Sequence, residues 1–215
     1  SIDDLRSKIA PARNAQSRIV TKQDLLSRIY TLPAQFGRVF RAGIRPNENN
    51  PNASQLFVIS RDDAGRLIMS PDTLKKNLVK YLNEFRLISD AIDILDAQVL
   101  NVGVDFQVAV DPNFNQEVVL QDVIDKIASY MDVENFQIDQ PVILSDLENL
   151  AFNTSGVLSV IDLRLRNLSG IFKKRKYSSS TFNVLSQTRK GIVFPPPGGI
   201  FELKFDEFDI RGTAL

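Results

Sequence analysis

The chain has no histidine, no cysteine and no tryptophan, and two methionines among 215 residues. Without histidine there is no Ser-His-Asp triad, no Cys-His dyad and no imidazole base. Without histidine or cysteine there is no conventional zinc site and no thiolate nucleophile. No disulfide can staple the fold, so the core must hold together by packing. No run approaches the roughly 18 consecutive apolar residues that a membrane-spanning helix needs. The opening SIDDLRSKIA has neither a basic region nor an apolar stretch, so it is not a secretory signal, and it reads as the start of a piece of a longer chain. No excess of either charge exists: 26 Lys and Arg face 26 Asp and Glu. That balance argues against non-specific nucleic-acid binding, which needs clustered cations. Carboxylates, lysines, tyrosines, hydroxyls and backbone are what remains for chemistry. This inventory favours a binding or structural protein over an enzyme.

What is present is an ordinary globular composition, 43% apolar and 24% charged. Residues 1–19 are polar, and Pro11 breaks any helix begun at Ile2. Thr21 is placed to cap a helix, with Asp24 three residues on, and Leu25, Leu26, Ile29 and Leu32 form its apolar stripe. Alternation over Gly37–Ile44, with Phe40, Ala42 and Ile44 on one side, predicts a strand. Residues 46–54, PNENNPNAS, read as a polar surface loop. Leu56–Ile59 and Leu67–Met69 read as strands around a hairpin turn, RDDAGR, with Gly65 at the position that favours positive φ. Ser70 and Pro71 open a helix predicted to run to about Ile88, with Leu74, Leu78, Leu82 and Phe85 on one face. A short segment, Ser89–Ala97, is expected to join this helix to the second half of the chain.

The second half predicts a long strand from Val102, Val104, Phe106, Val108 and Val110, with Asn101 and its alternating neighbours facing outward. A loop, DPNFN, leads to a helix over about 116–131 with Val119, Val123, Ile127 and Met131 inward. A second helix is expected to start at Ser145, with Glu148 completing a capping box, and Gly156 stands just past its end. Val157–Leu165 is the return strand, with Ile161, Leu163 and Leu165 inward. The expected fold class is therefore α+β: two small two-layer α+β subdomains, residues 1–90 and 91–170, the second β-α-α-β, and a β-rich aromatic tail, 171–215. In the tail, two extended segments flank PPPGG, and FELKFDEFDI shifts phase after Phe205, which suggests a bulge. Phe194, Phe201, Phe205 and Phe208 are the candidates for burial against another subunit, with an ordinary core role as the alternative.

Other motifs carry less. Asp111, Asn113, Asn115 and Glu117 have the spacing of oxygen ligands in a calcium loop, but Gln116 stands where the tight turn wants glycine, and a strand precedes it. Strand-to-helix loops use Asn and Asp by default, so no metal ligand is assigned. PPPGG lacks the lysine and helix of a phosphate loop. The carboxylate pairs Asp3/Asp4 and Asp62/Asp63 are sequence neighbours and diverge. Lys173, Lys174, Arg175 and Lys176 form a basic run that suits a solvated loop, a phosphate contact or a charged contact with another protein. No catalytic residue, cofactor, nucleic acid, membrane insertion or small-molecule substrate is expected.

Several strings, in order, resemble the baseplate J-like family. RNAQSRIVTKQDLLSRIYTLPAQFGRVFRAGI carries Arg18-Ile19-Val20-Thr21 with Asp24 and Leu25. LNVGVDFQVAV is followed by a helix, then by a helix with an Ile-Leu-Ser-Asp-Leu start, then by SGVLSVIDLRL. The ending, PPPGGIFELKFDEFDIRGTAL, is similar to the carboxyl end of baseplate wedge subunits of T-even-type phages. The resemblance implies a late structural protein of the virion, placed in the wedge ring of a contractile tail baseplate and assembled in the host cytoplasm. It implies pairing with a second copy, contacts with other wedge proteins, and rearrangement on sheath contraction. It carries no catalytic residues. The equivalent component of a bacterial contractile injection system is the alternative, and a metal- or polysaccharide-binding enzyme fragment is a third reading.

Overall fold

A computed structural model describes residues 21–85 and 91–215. The expectations for residues 1–19, including the break at Pro11, and for residues 86–90 lie outside the described residues. Helices and strands mix throughout, with several small sheets, as an α+β fold requires. The chain divides into two compact units. The first takes residues up to Val58 together with Ser70–Leu95, and the second takes Ile59–Met69 with Asp96–Leu215.

Unit 1 is organised by two amphipathic helices. In α1 (Lys22–Tyr30) the Thr21 hydroxyl accepts from the Asp24 N–H at 3.1 Å, and Asp24 Oδ2 accepts from the Thr21 N–H at 2.9 Å. This reciprocal cap satisfies orphan donors at the helix start. Helix α2 (Asp72–Asn83) starts one residue later than expected and ends earlier. Pro71 holds the cap position and offers no side-chain hydrogen bond there, and Ser70 before it is buried. Leu74, Leu78 and Leu82 pack with Leu25, Ile29, Leu32, Ala42, Leu56 and Val58 in one apolar cluster. Each fully buried leucine here contributes roughly 1.5–3 kcal/mol of transfer free energy.

Strand β1 (Arg41–Asn47) follows a 3₁₀ turn at Ala34–Phe36, so the strand expected from Gly37 begins four residues later. Residues 46–54 are not a loop. Strand β2 (Asn50–Arg61) starts at Asn50, and only Glu48 and Asn49 separate it from β1. The Asn47 side chain accepts from the Asn49 N–H at 2.9 Å, an Asx turn that closes the hairpin locally. In unit 2 the Arg61–Arg66 turn forms as expected, with Gly65 at φ +81° and its N–H donating to the Asp62 carbonyl at 3.0 Å. It connects β2 to β3 (Leu67–Ile68). The segment expected to be a connector holds β4 (Ala91–Asp96), which pairs with β2.

Unit 2 is centred on β5 (Gln98–Val110). Helix α3 (Gln116–Tyr130), capped by the Asn115 side chain, inserts Val119, Val123 and Ile127 beside Leu100, Val102, Val104, Phe106 and Val108 in the buried set. Helix α4 (Leu144–Phe152) starts directly from the short strand β6 (Val142–Ile143). The expected Ser145–Glu148 capping box does not form. The Leu144 N–H is satisfied instead by the Gly191 carbonyl at 2.9 Å.

Strand β7 (Val157–Asn167) returns antiparallel to β5. Leu163 and Leu165 point inward as expected, but Ile161 does not. The pairing jumps from Gln107↔Asp162 to Val108↔Val160, and again from Ala109↔Ser159 to Val110↔Val157. Leu158 and Ile161 are the residues skipped, and both turn outward, Ile161 at 49% exposure. Extra residues of this kind leave the ladder and re-aim their side chains.

After β7, β8 (Ile171–Phe172) and β9 (Arg175–Lys176) form a small hairpin. Helix α5 (Val184–Gln187) leads into β10 (Thr188–Arg189) and β11 (Ile192–Val193), which pairs with β6. The end of the tail joins the main sheet. Strands β12 (Gly199–Glu202) and β13 (Ile210–Ala214) both pair parallel with β5, one beyond the other, Phe201 opposite Leu100 and Gly212 opposite Phe106. The phase shift in FELKFDEFDI is a single helical turn, α6 (Asp206–Asp209), rather than a bulge. Gly103 makes room for it: a Cβ there would lie 2.7 Å from the Asp209 carbonyl oxygen.

Candidate functional site

The four phenylalanines singled out in the tail do not share one surface role. Phe201 on β12 has 0% exposure and stands 5.6 Å from the Phe182 ring, so it is a core residue with no face for another subunit. Phe205 is half-buried and meets Tyr177 edge-on at 5.5 Å. Phe194 and Phe208 are exposed at 39% and 47%. The parallel pairing with β5 decides this split, since it turns Phe201 into the sheet interior and leaves the α6 turn outside.

The buried Asn101, Tyr177, Glu202 and Asp209 of unit 2 are paired internally, whereas Asp105 Oδ1 and Arg166 Nε are buried without a hydrogen-bond partner. Asn101, expected to face solvent, is fully buried because β5 is covered on both faces near its start. Its amide donates to Glu202 Oε2 at 2.6 Å, and its side-chain oxygen accepts from the Ser178 N–H at 2.7 Å. Glu202 Oε1 accepts from the Leu67 N–H at 2.6 Å. Burial pushes the Glu202 carboxyl above the usual carboxylate range, and these hydrogen bonds pull it partly back. Tyr177 donates to Asp209 Oδ1 at 2.6 Å, and Phe205 N–H donates to Oδ2 at 3.0 Å. Burial first, and then the Asp209 carboxylate, push the Tyr177 phenol up to about 12. Asp209 is raised by burial, against the pull of the tyrosine hydrogen bond. Arg166 holds Asp105 at 2.7 Å and also donates to the Asp209 carbonyl at 3.1 Å.

A groove of about 410 Å³ beside the Arg61–Arg66 turn is lined by Arg61, Arg66, Asp132, Glu134, Glu202 and Lys204, among others. Its carboxylates do not converge on an open centre. Glu134 is ion-paired with Arg61, both Glu202 oxygens are occupied, and Asp132 accepts from the Glu134 N–H at 2.8 Å. The calcium-like spacing resolves into local structure. Asp111 Oδ1 accepts from the backbone and side chain of Asn113, both at 2.8 Å, and Asn115 Oδ1 caps α3. Among the described residues no group of three or more acidic side chains is arranged to hold a metal ion.

Unit 2 does leave apolar surface in patches. Phe152 on α4 and Ile161 on β7 line a groove of about 390 Å³ with Val160 and Leu163. The second patch surrounds the β8–β9 hairpin, where Ile171 is 81% exposed and Phe172 and Phe208 line a smaller pocket of about 210 Å³ with Arg175 and Arg211. The guanidinium of Arg175 lies 3.2 Å from the Phe208 ring centroid. Sequence reading missed Phe152 on α4, and it missed Leu158 and Ile161 because nothing in an alternating strand marks where an extra residue will be skipped. Ile171 and Phe172 were legible in principle, as an apolar pair set against four consecutive cations.

No protein-family model and no curated protein matches the chain. Among solved structures, the chain is similar to a chain of the anti-feeding prophage baseplate, determined by cryo-electron microscopy with six-fold symmetrisation. The TM-score is 0.49 at 13% identity, over 78% of this chain. The match spans 38% of the length of that baseplate chain.

Proposed function

We propose that this chain is a structural, non-catalytic component of the baseplate of a contractile tail, in the wedge ring of a phage particle. It acts by association with a second copy and with other wedge proteins, and it changes its contacts when the sheath contracts. The strings that resemble the baseplate J-like family, in order from Arg18 to Leu215, support the reading. The observation that carries it is a division of labour in unit 2. Its buried titratable groups end in internal partners, while large apolar side chains such as Phe152, Ile161 and Ile171 are left in patches at the surface. Scattered exposed apolar residues need no explanation, but large apolar side chains gathered along a groove suit a place where another surface is buried. A ring subunit needs several such places and tolerates rigid-body movement across them.

The test is immunogold labelling of purified contractile particles with an antibody raised against this chain. Label confined to the baseplate end supports the reading. Particles that contain no such polypeptide, or label along the tube or sheath, overturn it.

A further inference from the structure

In unit 2 the two signs of charge are separated along the chain. Residues 97–163 hold eleven Asp and Glu and a single cation, Lys126, whereas residues 164–215 hold ten Lys and Arg and four carboxylates. The fold turns the first stretch into an acidic surface. Helix α3 packs along β13, helix α4 packs along β7, and the two helices pack on each other. Glu117, Asp122, Asp125 and Glu148 are exposed on them. Lys126 is already engaged: it donates to the Asn153 carbonyl at 3.2 Å and to the Thr154 hydroxyl at 3.1 Å, at the end of α4. The groove between α4 and β7 opens in this acidic surface. Phe152 and Ile161, 54% and 49% exposed, line it from the helix and the strand. Its charged lining residues are Glu148 and Asp162, both exposed, and among the described residues no cation lines it. Glu148 has no ion-pair partner among the described residues. Asp162 has a loose one, the exposed Arg164, whose Nε lies 3.9 Å from it and 3.8 Å from Asp105.

An apolar groove with an acidic rim suits one kind of occupant. Among the described residues β7 pairs only with β5, but the residues skipped at Leu158 and Ile161 interrupt its outer edge, and bulges of this kind blunt the addition of a further strand. Recognition is left to side chains, as when a helix lays its apolar face in a groove. We propose that the groove between α4 and β7 takes an amphipathic helix of another protein, with a large apolar side chain seated between Phe152 and Ile161 and Lys or Arg beside it facing Glu148 and Asp162. The inference rests on the assembly role proposed above and names one contact surface and the chemistry of what fills it. Opposite charge draws such a partner in and fixes its orientation. Nucleic acid and anionic lipid are repelled by the same carboxylates.

The probe is a short fluorescein-labelled peptide of Leu and Lys at helical spacing, titrated with the full chain at physiological salt, where distant charges are screened, and read by fluorescence anisotropy. It is expected to bind about tenfold or more tightly than the same pattern with Glu for Lys, and than a Leu and Lys peptide of the same composition without a helical stripe. Glu148→Lys and Phe152→Ser should each weaken binding by about fivefold or more, whereas Asp122→Lys, on α3 and outside the groove lining, should change it by less than about twofold. In the E148K/D162K variant the Glu-bearing peptide should become the better ligand. Circular dichroism melts check that each variant is folded. The docking site is overturned if the first peptide does not bind, if either comparison peptide binds equally well, or if Asp122→Lys weakens binding as much as Glu148→Lys, which would show diffuse attraction to the acidic surface. Any of these results leaves the baseplate placement standing, because gold labelling decides that separately.

Discussion

The two units solve the problem of a stable core differently. Unit 1 gathers its core from elements that lie close in sequence, and its central cluster is wholly apolar. Unit 2 closes its sheet with strands from the far end of the chain, and it buries Asn101, Glu202 and Asp209 in doing so. An apolar cluster has no proton equilibrium, so unit 1 should respond to pH mainly through its surface. A core that holds carboxyls and a phenol is linked to pH through every group whose ionisation differs between folded and unfolded states. The contrast shows how distant strands come to be sealed together: polar side chains take up backbone groups that the joins would otherwise leave bare.

Core truncation offers the largest effects by which to sharpen this contrast. Phe201→Ala should cost unit 2 about 3–5 kcal/mol, and Leu78→Ala should cost unit 1 about 2–5 kcal/mol, measured by urea denaturation. Hydrogen exchange should show each loss centred in its own unit. Equal loosening of both units by either variant would break the comparison.

Glu202→Ala is next. It strands the Leu67 N–H and the Asn101 amide in the interior, and each unsatisfied group costs about 1–3 kcal/mol. No substitution in the apolar cluster of unit 1 should produce a loss of this kind. The Asn101→Ala, Glu202→Ala double variant should be less than additive, since the two side chains share one bond.

The pH response turns on Tyr177. The folded state holds the phenol proton up to about 12, whereas the unfolded state releases it near 10. The phenol's contribution to stability is therefore complete below pH 10 and is lost as pH climbs from about 10 to about 12. Tyr177→Phe should lower stability at neutral pH and remove this alkaline decline. Asp72 in unit 1 has the opposite sign: Lys75, 3.0 Å away, holds its carboxyl below the ordinary value, so its exposed contribution fades as pH falls through that region. A tyrosine variant with an unchanged alkaline limb would show that the decline arises elsewhere.

The smallest expected change is Thr21→Ala. It removes the side-chain half of the α1 cap at a cost of about 1 kcal/mol, within unit 1.

The stretches legible in advance share a property. The cap at Thr21 and Asp24, the Gly65 turn, the α3 stripe of Val119, Val123 and Ile127, and the alternation from Val102 to Val110 are decided by neighbours a few residues away. Of the misread stretches, one turns on a local side-chain contact and the others on partners elsewhere. PNENNPNAS looks like a loop by composition, yet β2 begins inside it because the Asn47 side chain closes the turn. Ile161 follows the inward period of β7 and still faces out, because the ladder with β5 skips it. The Ser145 box is displaced by a carbonyl at Gly191, nearly fifty positions later. For the candidate surface, the basic run at 173–176 and the tail aromatics were visible. Which of those aromatics stay outside was not, since that is set by two parallel pairings along one edge of β5.

By itself, then, the sequence determined what chemistry is absent, the α+β class and most helix and strand positions. Capping, turn preference and apolar period act over a few residues and can be read locally. Tertiary structure alone decided that Phe201 is core while Phe208 is surface, and that Asn101 and Glu202 meet. The reason is that burial and charge pairing belong to surfaces brought together by chain closure, and the closing partners here lie as much as 135 residues apart.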